Sequence, residues 1–187
     1  NAPVKITVTL KEKLPLVGAS AVLELEEGTG RTNDAGTAVR VDKEWFGYTG
    51  SGYTAGWKKV GDYVEMRVEV EKSGLYALTL RGAAGKKNDP RYDNSPRTGA
   101  LYIDGVRAAD FGLTVQNGWG DWIDYAFDNL RLSAGKHTIK LTAEGAVNPG
   151  NFNLDNLTVT RLTDETQLIE TVAAAKALRQ DDYQSGW

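Results

Sequence analysis

Glu24 and Glu26 stand two residues apart in the alternating run Ala21 to Glu26. On a strand, residues so spaced leave the same face, which would set the two carboxylates side by side. Like charges that close repel unless something neutralises them. Hard carboxylate oxygens together with backbone carbonyls suit calcium, which takes roughly six to eight oxygen ligands. A solvated strand face is the other reading of the same pair. The second group able to do chemistry is aromatic. The Gly/Tyr/Thr-rich stretch from Trp45 to Trp57 holds Tyr48 and Tyr53, and the segment Gly118 to Asp121 holds Trp119, with Trp122 next to it. Sugar rings have apolar C–H faces and polar edges, so a pocket for them needs flat aromatic faces and a few directed hydrogen-bonding groups. Tyr and Trp supply contact area with little loss of side-chain entropy. Packing under a long loop is the bland reading of Tyr48, Trp45 and Trp57.

Signals for covalent chemistry are sparse. Cysteine is absent and His137 is the single histidine. It opens the run His137 to Leu141, on the same side as Ile139 and Leu141, and reads as a packing residue at a strand end. No Gly-x-Ser-x-Gly elbow, P-loop or dinucleotide fingerprint occurs. Two carboxylates suffice for a glycosidase. A small glycan-cleaving enzyme is therefore the rival reading, although Glu44, Asp121 and Asp124 are the acids nearest the aromatic loops. A structural or adhesion domain with a degenerate site is a third.

The elements that must position these groups are short strands. The 187-residue chain is 41% hydrophobic, with 21 Gly, five Trp and eight Tyr, enough for one buried core. A formal charge of −3 lacks the basic excess of a nucleic-acid binder, and no apolar run is long enough to span a membrane. Alternation predicts strands at residues 5–10, 21–26, 37–41, 62–70, 75–80, 100–103, 108–115, 122–132, 137–143 and 152–160. Turn signals such as Asp104-Gly105 separate them. That spacing suits a sandwich or jelly roll. Beyond it, Thr163 or Asp164 as N-cap and an apolar stripe through Leu168, Ile169, Val172, Ala175 and Leu178 predict a helix. The opening Asn1-Ala2-Pro3 reads as the start of a mature or excised fragment.

Eight short motifs then fall in one order: Leu23-Glu24-Leu25-Glu26, Gly50-Ser51-Gly52-Tyr53, Gly61-Asp62-Tyr63-Val64, Gly74-Leu75-Tyr76, Leu101-Tyr102-Ile103-Asp104-Gly105, Gly118-Trp119-Gly120-Asp121-Trp122, Ala134-Gly135-Lys136-His137-Thr138-Ile139 and Gly150-Asn151-Phe152-Asn153-Leu154-Asp155-Asn156-Leu157. In kind and order this set resembles carbohydrate-binding module families 35 and 6 over residues 19–161. The resemblance implies an all-β fold, a two-sheet antiparallel β-sandwich (jelly roll), here with the C-terminal helical extension. It implies a structural calcium on Glu24, Glu26 and Asp155, with carbonyls of the loop from Trp45 to Gly52 completing the shell. It also implies a sugar cleft at Tyr53, Trp119 and Asn151. Trp122 competes with Trp119 for the ligand face, and Tyr48 is a further candidate.

Some relatives in the family bind uronic acids. The loop of residues 85–98 carries Lys86, Lys87, Arg91 and Arg97 against Asp89 and Asp93, and arginine pairs well with carboxylates. Arg91 and Arg97 are accordingly candidates for gripping an acidic sugar, unless the loop's charges pair among themselves. The resulting expectation has three parts: residues 1–18 as an extension or linker strand, 19–161 as the carbohydrate-binding sandwich, and 162–187 as a helical linker or the start of a next domain. In function it is a calcium-stabilised, non-catalytic module of a secreted or cell-surface protein. It would target a covalently linked catalytic domain, a glycoside hydrolase or polysaccharide lyase, to an oligo- or polysaccharide.

Overall fold

A computed structural model describes residues 14–28, 30–32, 39–90, 93–145 and 151–164, together with 172, 173 and 176. The expected strand at residues 5–10 lies outside them. The described strands are β1 (Leu16–Val17), β2 (Ser20–Glu24), β3 (Gly30–Thr32), β4 (Arg40–Asp42), β5 (Tyr53–Ala55), β6 (Tyr63–Val70), β7 (Gly74–Ala83), β8 (Arg97–Ile103), β9 (Val106–Leu113), β10 (Ile123–Leu132), β11 (Gly135–Ala143) and β12 (Asn153–Asp164).

They form two sheets. One runs β1-β6-β11-β8-β9 with β3 also on β6; the other runs β10-β7-β12-β5-β4 with β2 on β12. All pairings are antiparallel except the parallel contact of β1 with β6. Alternation explains the layering. Val64, Met66, Val68 and Val70 of β6 are buried while Arg67 and Glu69 between them are exposed. They meet Tyr76, Leu78 and Leu80 of β7 and Leu154, Leu157 and Val159 of β12 in one core. Burial on this scale is the main force holding the sheets together. At Gly99 on β8 the two neighbouring strands of the same sheet leave no room for a side chain: a methyl group would overlap the Phe111 ring of β9 and the Thr142 carbonyl of β11.

Three local expectations change. The run Ala21 to Glu26 is not one strand: β2 stops at Glu24 and a 3₁₀ turn, Leu25–Glu27, follows. Consecutive strand residues point to opposite faces, but Leu25 and Glu26 are both buried, and the turn is what allows it. The last strand continues through Asp164, so residues 162–164 belong to the sheet; Thr163 and Asp164 pair with Leu75 and Gly74 instead of capping a helix. After Asp164, Val172, Ala173 and Lys176 are helical and exposed. No helical extension is delimited as an element, and the rest of the expected helix lies outside the described residues. The strands thus reach from Leu16 to Asp164, slightly wider than residues 19–161.

His137 packs as expected at a strand end, and it also ties two turns together. Its Nδ1 is 2.7 Å from Asp104 Oδ2, and its Nε2 is 2.9 Å from the Ser133 carbonyl.

Candidate functional site: a loop-end cleft and a carboxylate cluster

The loops at one end of the sandwich enclose a cleft of about 690 Å³. Its walls come from β4 and the residues after it (Arg40, Asp42, Glu44, Trp45), from Tyr53 to Lys58, from Lys86 and Asp89, from Asn117 to Trp119, and from Asn151 to Asn153. Residues far apart in sequence meet here because β5 and β12 pair at Thr54 and Leu154. That pairing sets Tyr53 close to the start of the last strand.

Tyr53, Trp119 and Asn151 therefore line one cleft. Their environments differ. The Trp119 ring lies against Gly85, where an added Cβ would be 2.9 Å from its Cζ2; Gly85 also has φ +84, a region glycine enters at no steric cost. Asn153 Nδ2 donates to the Trp119 carbonyl at 3.0 Å, which holds the Trp loop on β12. Asn151 adopts φ 51, which Asn tolerates better than most residues, and its N–H donates to the Trp57 carbonyl at 3.0 Å. Trp57 in turn is buried against Phe152, ring centroids 5.0 Å apart.

Tyr53 is only 1% exposed. Tyr48 and Trp122 cover it, with centroids at 5.7 and 5.2 Å, so it offers the ligand position more than an open ring face. Its hydroxyl accepts the Trp45 N–H at 3.3 Å, and burial pushes that hydroxyl's pKa above the usual tyrosine value. Tyr48 and Trp122 support this wall from behind and do not line the cleft. Trp122 Nε1 donates to the Phe46 carbonyl at 2.8 Å, and the Arg81 guanidinium lies 6.0 Å from the Trp122 ring.

In the basic loop Arg97 follows the internal-pairing alternative and not the uronate-gripping one. Arg97 is buried at 1% exposure. It donates to the Asp93 carboxylate at 3.1 Å and to the Ser95 and Asp93 carbonyls at 3.0 and 2.8 Å. A guanidinium committed to its own loop cannot reach an external carboxylate, so Arg97 is a loop brace. Arg91 lies outside the described residues. The cationic residues that do line the cleft are Arg40, Lys58 and Lys86, against Asp42, Glu44 and Asp89. Arg40 and Asp42 pair at 2.8 Å. Partial burial opposes ionisation of Asp42, but the N–H groups of Lys43 and Glu44, with Arg40, outweigh it and hold its pKa below the ordinary value. Sequence reading missed Arg40, Asp42, Lys58 and Asn153 as cleft residues. Arg40, Asp42 and Asn153 lie at strand ends and Lys58 in the loop after β5, and nothing in their local sequence marks that they face the cleft.

A second cluster lies under the loop of residues 45–52. Asp155 and Glu26 are buried and Glu24 is half-buried. Thr49 donates its N–H to Asp155 (3.0 Å to Oδ1) and its hydroxyl to Glu24 (2.8 Å), and Ser51 donates its N–H to Glu26 at 2.6 Å. Asn156 Nδ2 reaches the Thr49 hydroxyl at 2.8 Å. Between these donors, the Cα of Gly50 (φ +61) faces Glu24 and Glu26 so closely that a side chain there would collide with both. Arg81 Nε stands 3.5 Å from Asp155, one positive charge beside three carboxylates. Burial raises the Asp155 pKa to about 6; the Thr49 N–H and Arg81 work against that, while Glu24 and Glu26 add to it. Burial likewise raises the Glu24 pKa; the Thr49 hydroxyl opposes this and Glu26 and Glu27 reinforce it. Among the described residues, no group of three or more His, Cys, Asp or Glu is placed so as to hold a metal ion, and the loop meets these carboxylates with hydrogen-bond donors. The donor set nonetheless has the chemistry of a calcium ligand group: hard oxygens, partly buried, with excess negative charge.

An antiparallel sandwich with rings and polar side chains meeting at its loop end has the build of a binding module, and comparison with known proteins narrows it. No family model matches the chain. It is 30% identical over 123 residues to an isomaltosyltransferase of Sporosarcina globispora, covering 66% of this chain and 10% of that protein. It is 33% identical over 128 residues to a cycloisomaltooligosaccharide glucanotransferase of Niallia circulans, covering 66% of this chain and 12% of that protein. The chain thus spans about a tenth of the length of these relatives. A solved family 35 carbohydrate-binding module from Clostridium thermocellum matches with a TM-score of 0.64 and 25% identity, over 78% of this chain and 100% of that one. A family 35 module in complex with a glucuronic-acid-containing disaccharide matches with a TM-score of 0.57 and 27% identity, over 76% of this chain and 94% of that one. In sequence and fold the chain is similar to family 35 carbohydrate-binding modules.

Proposed function

We propose that this module is non-catalytic and binds a neutral α-1,6-linked gluco-oligosaccharide in the loop-end cleft, on behalf of a linked glucan-active catalytic domain. The observation that carries the reading is the meeting of Trp119, Trp45 and Asn151 in one cleft over Tyr53. Trp119 supplies a flat apolar wall for the C–H face of a glucose ring. Asn151 supplies directed hydrogen bonds to hydroxyl groups, and Tyr53 holds the Trp45 backbone in place. Neutral sugar is favoured by the balance of Arg40, Lys58 and Lys86 against Asp42, Glu44 and Asp89, and by the commitment of Arg97 to its own loop. The linkage is inferred from relatives named for isomaltosyl transfer and cycloisomaltooligosaccharide formation. Their length and activities make a secreted or cell-surface parent enzyme the natural setting. Glu24, Glu26 and Asp155 would hold a calcium ion whose role is structural: it would offset their mutual repulsion and fasten the loop of residues 45–52 to β2 and β12.

Calorimetric titration with isomalto-oligosaccharides and, separately, with glucuronic-acid-containing oligosaccharides tests this. The expected result is binding of the former, lost in Trp119→Ala with the melting temperature unchanged. Binding of the uronate alone, full binding by Trp119→Ala, or release of new reducing ends would overturn the reading.

A further inference from the structure

Next to the cleft, the chain displays a large apolar side chain that the fold does not use. Phe46 is 89% exposed, and Trp45 before it is 38% exposed while lining the cleft. Single exposed hydrophobic residues are ordinary on protein surfaces. Phe46 differs in the rigidity of its setting. The Trp45 N–H is held by the Tyr53 hydroxyl at 3.3 Å. The Phe46 carbonyl accepts from Trp122 Nε1 at 2.8 Å, and the Gly47 carbonyl accepts from Arg81 at 2.8 Å. Gly120 packs against Trp45, where an added Cβ would be 3.1 Å from Trp45 Cβ and 3.4 Å from the Phe46 carbonyl. The loop that bears Trp119 and the loop that bears Phe46 therefore brace each other. A ring fixed at its backbone and open to solvent loses little freedom on meeting a ligand, which is the condition for a useful contact.

We propose that Phe46 is a second stacking subsite, which takes a further sugar ring of the same glycan as it leaves the cleft past Trp45. The proposal rests on the cleft reading above. Adjacent Cα atoms are about 3.8 Å apart, so the exposed Phe46 ring is rooted one residue from the Trp45 wall of the cleft. Phenylalanine brings an apolar face and no hydrogen-bonding group. The subsite therefore responds to chain length and not to the pattern of hydroxyls, which the polar groups of the cleft read. It makes the module favour the interior of a long glucan over a free disaccharide.

The test compares isomaltose with isomaltohexaose by calorimetry on the whole chain. Wild type should bind the hexaose more tightly. Phe46→Ala should weaken hexaose binding by roughly three- to tenfold, the worth of about one aromatic contact, and leave isomaltose binding and the melting temperature unchanged. Phe46→Tyr should restore the preference. Unchanged hexaose affinity in Phe46→Ala, while Trp119→Ala abolishes binding, would overturn the subsite and leave the cleft standing. Equal weakening of both sugars would also overturn it, since Phe46 would then be acting on the cleft itself. Wild-type binding by Trp119→Ala would instead remove the cleft reading, and failure of wild type to bind either sugar would remove both. Loss of contact between the module and its parent enzyme in Phe46→Ala, with glycan affinity intact, would identify a domain interface and refute the subsite.

Discussion

With calcium chelated, the protein should become less stable as pH rises from 4.5 to 7.5, against the usual acid sensitivity of carboxylates. The reason is Asp155, whose pKa goes from the ordinary 3.8 to about 6 in the folded chain. In the unfolded chain it ionises near 3.8. Between those values the folded state holds a proton that the unfolded state has released, so raising pH favours unfolding. The stability is fully present below pH 3.8, is lost as pH climbs toward the folded value, and stays lost above it. Roughly two units at about 1.4 kcal/mol each come to about 3 kcal/mol. Asp155 is fully buried, so solvent screens little of this. About 2 kcal/mol of it should fall within the measured window, a drop of roughly 4–8 °C in melting temperature for a chain of this size. Differential scanning calorimetry in chelator at both pH values gives the answer, and Asp155→Asn should flatten the dependence. Added calcium should reverse it, because the ion needs ionised ligands. Equal melting temperatures at the two pH values, in chelator and with Asp155 intact, would refute the reasoning.

Two further outcomes follow from the packing. Gly99→Ala should cost about 3 kcal/mol in urea unfolding, because its methyl group would overlap the Phe111 ring and the Thr142 backbone carbonyl, and backbone cannot rotate away. Asp104→Asn should cost about 1 kcal/mol by the same measurement, since Asp104 accepts both the Thr138 N–H at 2.9 Å and His137 Nδ1 at 2.7 Å, a cost kept small by its exposure.

Much of the architecture was legible because its causes are local. Alternation in Asp62 to Val70 and His137 to Ala143 could serve only a two-faced sheet, and those strands stand at Tyr63–Val70 and Gly135–Ala143. The pair Asp104-Gly105 demanded a tight turn and makes one, with φ 51 and +79. Where the local signal was equivocal, contacts across the molecule decided. The run Leu23 to Glu26 alternates well enough for a strand, yet burial of both Leu25 and Glu26 bends it into a 3₁₀ turn. Capping residues at Thr163 and Asp164 yielded to the open edge of β7, which offered hydrogen bonds to a longer β12.

The candidate site divides the same way. Residue types alone marked the aromatic loops and the carboxylates as the groups able to do chemistry, because flat rings and hard oxygens carry that chemistry wherever they sit. Which ring faces the cleft was not a property of type. Trp119 faces it because Gly85 leaves room behind its ring; Trp122, three residues on, is turned into the wall by Tyr53 and the Phe46 carbonyl. Charge was equally ambiguous in sequence. In sequence Arg97 could serve a ligand or its own loop and is buried on Asp93, while Arg40, Lys58 and Lys86 reach the cleft from separate segments. Side-chain chemistry is written residue by residue in the chain, whereas exposure and partnership depend on which distant segments the two sheets bring together.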